Sequence, residues 1–290
     1  MQLTRWLSFS TIGAVVIWGA VPTATKFALR GFDPLGLVIL RLILTSLIFF
    51  IWLVLSEKDW RVRRQDLPLL CLAGILGAGT FQVLFAVGVN FTTASNTGVI
   101  MALSPIFTAL VSAAIGQEGL RPLTLLGILI SFGGVFLLVE GKGLGIPAVG
   151  VTGDLIIVGA AFAWSIYQVA AAPLLKRYSV LKVTTYATVL AGAVILPFTV
   201  GLLIQQDWSS ISLESWGGGF YFIFFGGLVA LWLWGRGLRR LGPTQTMVYY
   251  YFQPLVGVAA AIIFLAEQLN LLQFSGIGAI FLGVGLARKW

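Results

Sequence analysis

Histidine is absent from this 290-residue chain, and cysteine occurs once, as Cys71. A single thiol cannot close an internal disulfide, and without histidine the common metal-site spacings have no ligands to use. Neither a metal nor a cofactor is expected, and Cys71 reads as a small apolar residue within a helix. Charge is scarce as well. Only 10% of the residues are charged, against about a quarter in ordinary soluble domains. So few charges cannot clothe a globular surface in polar groups, so lipid must be the solvent for most of the chain. Acidic residues number ten, and each falls in a loop or near the end of an apolar run. A proton relay usually places Asp, Glu or His inside the membrane. None is evident, which favours facilitated or exchange transport over dedicated proton coupling.

What is abundant is hydrocarbon. The apolar fraction is 59% and the mean hydropathy +1.00. Glycine, at 35 residues, suits helices that pack closely where no hydrophobic drive holds them together. Apolar runs long enough to span a bilayer are broken by short polar loops, at about 8–29, 35–55, 67–89, 93–115, 122–139, 153–175, 183–204, 216–238, 243–264 and 271–287. The fold class is therefore an all-α polytopic membrane protein of ten transmembrane helices. The first run continues into further spans and shows no small-residue cleavage site, so no cleavable signal peptide is expected. No loop is long enough for a soluble domain.

Lys and Arg set the direction. With the N-terminus inside, fourteen of the 18 basic residues fall on the inner side, three (Lys26, Arg30 and Lys142) on the outer side, and Arg41 within the second span. Both termini are expected to be cytoplasmic. The net charge of +8 is explained by membrane orientation, with no nucleic-acid partner.

The chain also repeats itself. Pro105 and Pro254, Glu118 and Glu267, and Gly127 and Gly276 are each separated by 149 positions. At the same offset Ser95-Asn96-Thr97 maps onto Thr244-Gln245-Thr246. Upstream, Gly13-Ala14 and Trp18 map onto Gly159-Ala160 and Trp164 at an offset of 146, a three-residue difference that loops can absorb. Each half then has five spans, residues 1–145 and 146–290. An odd number means that the second half enters the membrane from the opposite side. Inverted repeats of this kind underlie alternating access in many secondary transporters, with the substrate site near the midplane.

These motifs resemble the drug/metabolite transporter superfamily, specifically its EamA branch. They are Val15-Val16-Ile17-Trp18-Gly19, Arg41, Leu103-Ser104-Pro105, Gly116-Gln117-Glu118, Gly127 and Gly133-Gly134-Val135. The second half echoes them with Phe252-Gln253-Pro254, Leu265-Ala266-Glu267, Gly276 and Gly283-Val284. The resemblance covers essentially the whole chain. It implies a ten-span carrier of small metabolites, an amino-acid exporter in particular, residing in the bacterial cytoplasmic (inner) membrane.

Thr97, Met101, Ser104 and Thr108 share one face of the fourth helix, and the offset maps them onto Thr246, Tyr250, Gln253 and Gly257. These faces are expected to line a central cavity, because polar side chains in a span turn from lipid. Trp18, Trp164, Tyr167, Gln168 and Gln82 lie deeper than an interfacial aromatic belt requires and suit a small amphipathic solute. The resemblance adds that the first and sixth helices help form the family's cavity. Pro105 and Pro254 each remove a backbone hydrogen bond, so kinks, and hinge or gate use, are expected there. Arg41 could snorkel to the outer surface or, with Lys26, attract an anion; the family commonly has a basic residue there whatever its substrate. Glu118 and Glu267 are expected to cap the fifth and tenth helices. Small residues of the fifth helix (Gly127, Ser131, Gly134) and tenth (Gly276, Gly283) should allow close packing, within the bundle or between subunits, so monomer and homodimer both remain open. An intramembrane enzyme would need a nucleophile–base pair, a metal motif or paired carboxylates in the spans, and none is visible. The partners expected are a small-molecule substrate and the bilayer. A drug or nucleobase carrier is the alternative within transport, and a non-transporting receptor or scaffold the alternative outside it.

Overall fold

The structure, a computed structural model, describes residues 9–116, 122–140, 148–241, 249–250 and 252–287. Among them every regular element is helical and no strand occurs. In chain order the helices are α1 (Phe9–Ala28), α2 (Pro34–Ser56), α3 (Arg64–Phe91), α4 (Ala94–Ala114), α5 (Pro122–Glu140), α6 (Ala148–Leu175), α7 (Val180–Gln205), α8 (Leu213–Gly237), α9 (Gln253–Leu265) and α10 (Leu271–Ala287). Seven of these stretches are long and apolar enough to cross a membrane; apolar segments within α5, α9 and α10 are shorter.

Local chemistry starts the helices where it should. Asp33 accepts from the Leu35 and Gly36 amides at 2.9 and 2.8 Å, with Pro34 in the first turn, and so caps α2. Ser179 caps α7 by accepting from the Lys182 amide at 3.0 Å. These two caps lie 146 positions apart. The three-residue difference between the repeats was expected in loops. The structure places it in helix instead, since α2 has 23 residues and α7 has 26.

Helix packing respects the repeat. α1 packs on α8 and α9, and α6 packs on α3 and α4; α2 faces α7, α4 faces α9, and α5 faces α10. Replacing each helix by the one five places on returns the same set of pairs. The α5–α10 seam is reciprocal at the level of residues. A Cβ on Gly134 would lie 2.7 Å from the Gly276 carbonyl oxygen, and one on Gly283 would overlap that of Gly127. The Ser131 hydroxyl donates across the seam to the Ile280 carbonyl at 3.4 Å. The small residues are thus spent inside the bundle.

A second repeated device is a π-helical segment in the middle of α3 (Leu72–Gly79) and of α8 (Tyr221–Val229). Both begin at equivalent positions of the repeat. A π-turn widens the helix and disturbs its hydrogen-bond ladder. In α3 the Thr80 hydroxyl donates to the Ile75 carbonyl at 3.1 Å. The α3 segment also brings Gly74 against Ala187 of α7 and Gly77 against Tyr167 of α6.

The kinks expected at the prolines have a counterpart in α4. It tightens to a 3-10 turn over Met101–Leu103, directly before Pro105. Pro105 has no amide hydrogen for the Met101 carbonyl, and the Ser104 hydroxyl donates to that carbonyl at 2.8 Å instead. Pro254 sits in the first turn of α9 as described.

Glu267 corrects an expectation. It does not cap α10, whose start is closed by a reciprocal pair: the Gln273 amide donates to Asn270 Oδ1 at 2.9 Å and the Asn270 amide to Gln273 Oε1 at 3.1 Å. The Glu267 carboxylate instead accepts from the Ala94 and Ser95 amides of α4, at 2.8 and 3.0 Å. Thr93 supplies the rest, its hydroxyl accepting from the Asn96 amide and its carbonyl from the Thr97 amide, both at 3.1 Å. All four opening amides of α4 are therefore satisfied, as a helix end away from water requires. Glu267→Ala should lower stability by about 2 kcal/mol, with Glu267→Gln losing less, since one acceptor and no charge remains; thermal melting of the detergent-purified protein reads both. Glu118 lies outside the described residues.

A polar knot ties the α2–α3 connection to the α6–α7 connection. Arg177 pairs with Asp66, Ser179 donates to Glu57, and the Lys182 ammonium donates to the Asp59 carbonyl. The Tyr178 phenol donates to Asp66 Oδ2 at 2.6 Å, and burial together with that carboxylate raises its pKa above the ordinary phenol value.

Candidate functional site

A cavity of about 50 Å³ lies where the two halves meet. It is lined from α1 by Trp18 and Val21, from α2 by Arg41, and from α3 by Ala78, Phe81, Gln82 and Phe85. Met101 comes from α4, Trp164 and Tyr167 from α6, and Thr184, Ala187 and Thr188 from α7. Leu231 of α8, Tyr250 and Gln253 complete the wall. Most of these occupy mid-helix positions, so the cavity is deep in the bundle.

Ten of these residues form five equivalent pairs of the repeat: Trp18 with Trp164, Val21 with Tyr167, Arg41 with Ala187, Gln82 with Leu231, and Met101 with Tyr250. The cavity therefore straddles the relation between the halves. The chemistry of the pairs is unequal. The first half contributes the guanidinium and the Gln82 amide, while the second contributes both tyrosines, Gln253 and two threonines.

The aromatic wall is continuous. The Trp18 and Trp164 rings meet edge to face at 5.6 Å. Trp164 stacks on Tyr167 at 5.0 Å and lies 5.0 Å from Phe81. Trp234, behind the wall, touches both Trp18 and Tyr250. The polar groups divide into those with partners and those without. Trp18 Nε1 donates to the Gly226 carbonyl at 3.0 Å. Gly226 belongs to the π segment of α8, where the disturbed ladder leaves its carbonyl open to a side chain. The equivalent group on the other side, Trp164 Nε1, is buried with no partner among the described residues. Gln82 Oε1 and Gln253 Oε1 are likewise buried and unpartnered.

Arg41 does not snorkel. It is 6% exposed, donates from Nη2 to the Gly226 carbonyl at 3.2 Å, and lies over the Phe222 ring at 4.2 Å. Among the described residues no ion pair involves it and no Asp or Glu lines the cavity. Lys26 is elsewhere, its ammonium donating to the Asn90 carbonyl at 3.5 Å.

Of the residues singled out from sequence, Trp18, Gln82, Met101, Trp164, Tyr167, Tyr250 and Gln253 meet around the cavity with Arg41. Thr97, Ser104 and Gln168 are buried but do not line it. The Thr97 hydroxyl is spent on the Thr93 carbonyl at 2.8 Å. The Ser104 hydroxyl is spent on the Met101 carbonyl, and Thr246 lies outside the described residues. Phe81, Phe85, Thr184, Thr188 and Leu231 line the cavity without having been singled out. The offset was the available signal for two of the lining positions, since Gln82 projects onto Leu231 and Arg41 onto Ala187.

The model of the EamA-like transporter family matches this chain twice, over residues 5–140 and 151–288. An uncharacterized transporter of Bacillus subtilis, YyaM, is 26% identical over 95% of this chain and 90% of its own length. An uncharacterized transporter of Archaeoglobus fulgidus is 26% identical over 97% of this chain and 98% of its own. A probable terminal-alkyne amino-acid exporter of Streptantibioticus cattleyicolor is 25% identical over 92% and 88%. A solved crystal structure shares the fold, with a TM-score of 0.68 at 18% identity, covering 99% of this chain and 97% of that one.

Proposed function

The chain belongs to the EamA-like transporter family, and on that premise we propose that it is a secondary transporter of small organic metabolites, an amino-acid exporter working by alternating access in the bacterial inner membrane. The observation that carries this proposal is the cavity between the halves, walled by repeat-related side chains from both. A site shared by two repeats can be opened to either side by rocking one against the other. The proposed frame is ten spans in two inverted fives, residues 1–145 and 146–290, with both termini cytoplasmic. The seven long apolar stretches, the three shorter ones and the reciprocal α5–α10 seam support it.

The cavity's size supports a moving site. About 50 Å³ accommodates a few waters, whereas a pocket that encloses a drug-sized ligand has about 300–1,000 Å³. The halves must part to admit a solute. Pro105 and Pro254, at equivalent positions in α4 and at the start of α9, are the proposed hinges.

The wall supports the proposed substrate class. Aromatic faces with a few hydrogen-bonding groups suit an amphipathic amino acid, and one relative bears the name of an amino-acid exporter. The proposed mode is facilitated or exchange transport, supported by a cavity wall with no carboxylate among the described residues. A drug or nucleobase carrier of the same fold is the alternative.

The test is a flux panel in proteoliposomes, using labelled amino acids, nucleobases and cationic drugs with and without an imposed pH gradient. Saturable amino-acid flux that persists without the gradient is expected. No saturable flux of any solute would overturn the transporter proposal, and strict dependence on the gradient would overturn the facilitated mode. Gln253→Ala should lower flux about tenfold, the worth of one buried hydrogen bond, while purified yield and gel-filtration profile stay those of the parent.

A further inference from the structure

Among the described residues the cavity wall carries one formal charge and no group to balance it. Arg41 is buried against a backbone carbonyl and a ring, and among the described residues no acidic side chain lines the wall. A guanidinium carries five N–H donors in a fork matched to a carboxylate. One of them is accounted for by Gly226. Buried charges are ordinarily paired, because an ion without a counterion bears its desolvation cost alone. The same cavity also holds two acceptors with nothing to accept, Gln82 Oε1 and Gln253 Oε1, each in a side chain 5% exposed. One cation, two idle acceptors and an aromatic wall make a complementary set.

Resting on the transport proposal for this cavity, we infer that the solute is a zwitterionic α-amino acid whose carboxylate is received by Arg41 and whose ammonium is received by the Gln82 and Gln253 amide oxygens. The side chain then lies among Trp18, Trp164 and Tyr167. The solute's carboxylate supplies the missing counterion, while its ammonium is held by neutral amide oxygens, so loading pairs the guanidinium without changing the net charge of the cavity. The second half has no equivalent charge, since Ala187 stands where the repeat would place a partner for Arg41. The site therefore has a polarity: carboxylate toward α2, ammonium between α3 and α9. A purely structural arginine, holding Gly226 and nothing else, would be indifferent to the ends of the solute.

The experiment exploits that indifference. Each labelled amino acid in the proteoliposome panel is paired with its decarboxylated amine, as phenylalanine with phenethylamine, and with its deaminated acid, as 3-phenylpropionate. The parent protein should carry the amino acid at least about tenfold faster than the amine, the loss expected when a buried charge-assisted hydrogen bond goes unmade. Arg41→Gln should abolish that preference by slowing the amino acid and sparing the amine, and Arg41→Lys should restore part of it. Equal parental rates for an amino acid and its amine would overturn the assignment while leaving transport intact. So would an equal loss on both in Arg41→Gln, and so would flux confined to nucleobases or cationic drugs. Silence across the entire panel would overturn the transport proposal and this one with it. The parental comparison needs no variant, so a misfolded Arg41→Gln would not shelter the inference.

Discussion

Gly77→Val should abolish recovery of well-folded protein. Position 77 lies in the π segment of α3, and an ideal Cβ there would stand 2.7 Å from the Tyr167 Cα, 2.7 Å from its Cβ and 2.8 Å from its amide nitrogen. Two of those three atoms are backbone of α6, so no side-chain rotation relieves the overlap. Overpacking by a methylene or two commonly costs about 1–3 kcal/mol when neighbours can shift. Here the neighbour is an entire helix, and the two further carbons of valine push deeper. Against this, a β-carbon in a helix interior is worth about 1 kcal/mol of propensity relative to glycine, so Gly77→Ala sums a gain with a larger loss. Gly77→Ala should lower the melting temperature and, because Tyr167 lines the cavity, alter flux as well. Gly201→Ala is the control: nothing lies within 4 Å of its Cβ position, and its stability should stay within about 0.5 kcal/mol of the parent or rise. A monodisperse, parent-like gel-filtration peak for Gly77→Val would show that α3 and α6 are not held as close as described.

What the sequence could disclose was set by what lipid imposes. A span needs a long apolar run, whatever its neighbours, so the described helices fall on the apolar windows. The offset of 149 was equally plain, because Pro105 and Pro254 or Gly127 and Gly276 are matched residue for residue. The π segments were not legible, since a widened turn has no hydrophobic period of its own; the glycines at 74, 77 and 79 mark them only after the fact. Arg41 could not be placed, because a long side chain near a span end has two ways to go, to water or inward, and the choice depends on Gly226 and Phe222, some 180 residues away. Glu267 failed as a local cap for the same reason: its partners Ala94 and Ser95 belong to the other half. A helix face predicts which residues avoid lipid. It does not separate those facing a cavity, such as Met101, from those whose hydroxyls are spent within their own helix, such as Thr97.

The same asymmetry between the halves yields opposite outcomes for two substitutions that look alike in sequence. Trp18→Phe should lower stability and Trp164→Phe should lower flux. Both tryptophans occupy the equivalent place in their repeats and both face the cavity. The Trp18 indole N–H is committed to the Gly226 carbonyl at 3.0 Å, so phenylalanine there removes a buried hydrogen bond within the bundle. Such bonds average about 0.6 kcal/mol in membranes, to which the lost ring area against Trp164 and Trp234 adds. The Trp164 N–H is committed to no partner among the described residues. Phenylalanine there removes a buried donor that was already a liability of about 1–3 kcal/mol, so melting should be unchanged or improved despite some loss of stacking on Tyr167 and Phe81. If that donor is kept for the solute, transport should fall about tenfold, the worth of one hydrogen bond made only when the site is loaded. Melting temperatures and saturable flux measured on the same two preparations separate the roles. Parent-like flux in Trp164→Phe would remove its indole N–H from the substrate site, and equal destabilisation by both would mean that the two halves use their tryptophans alike.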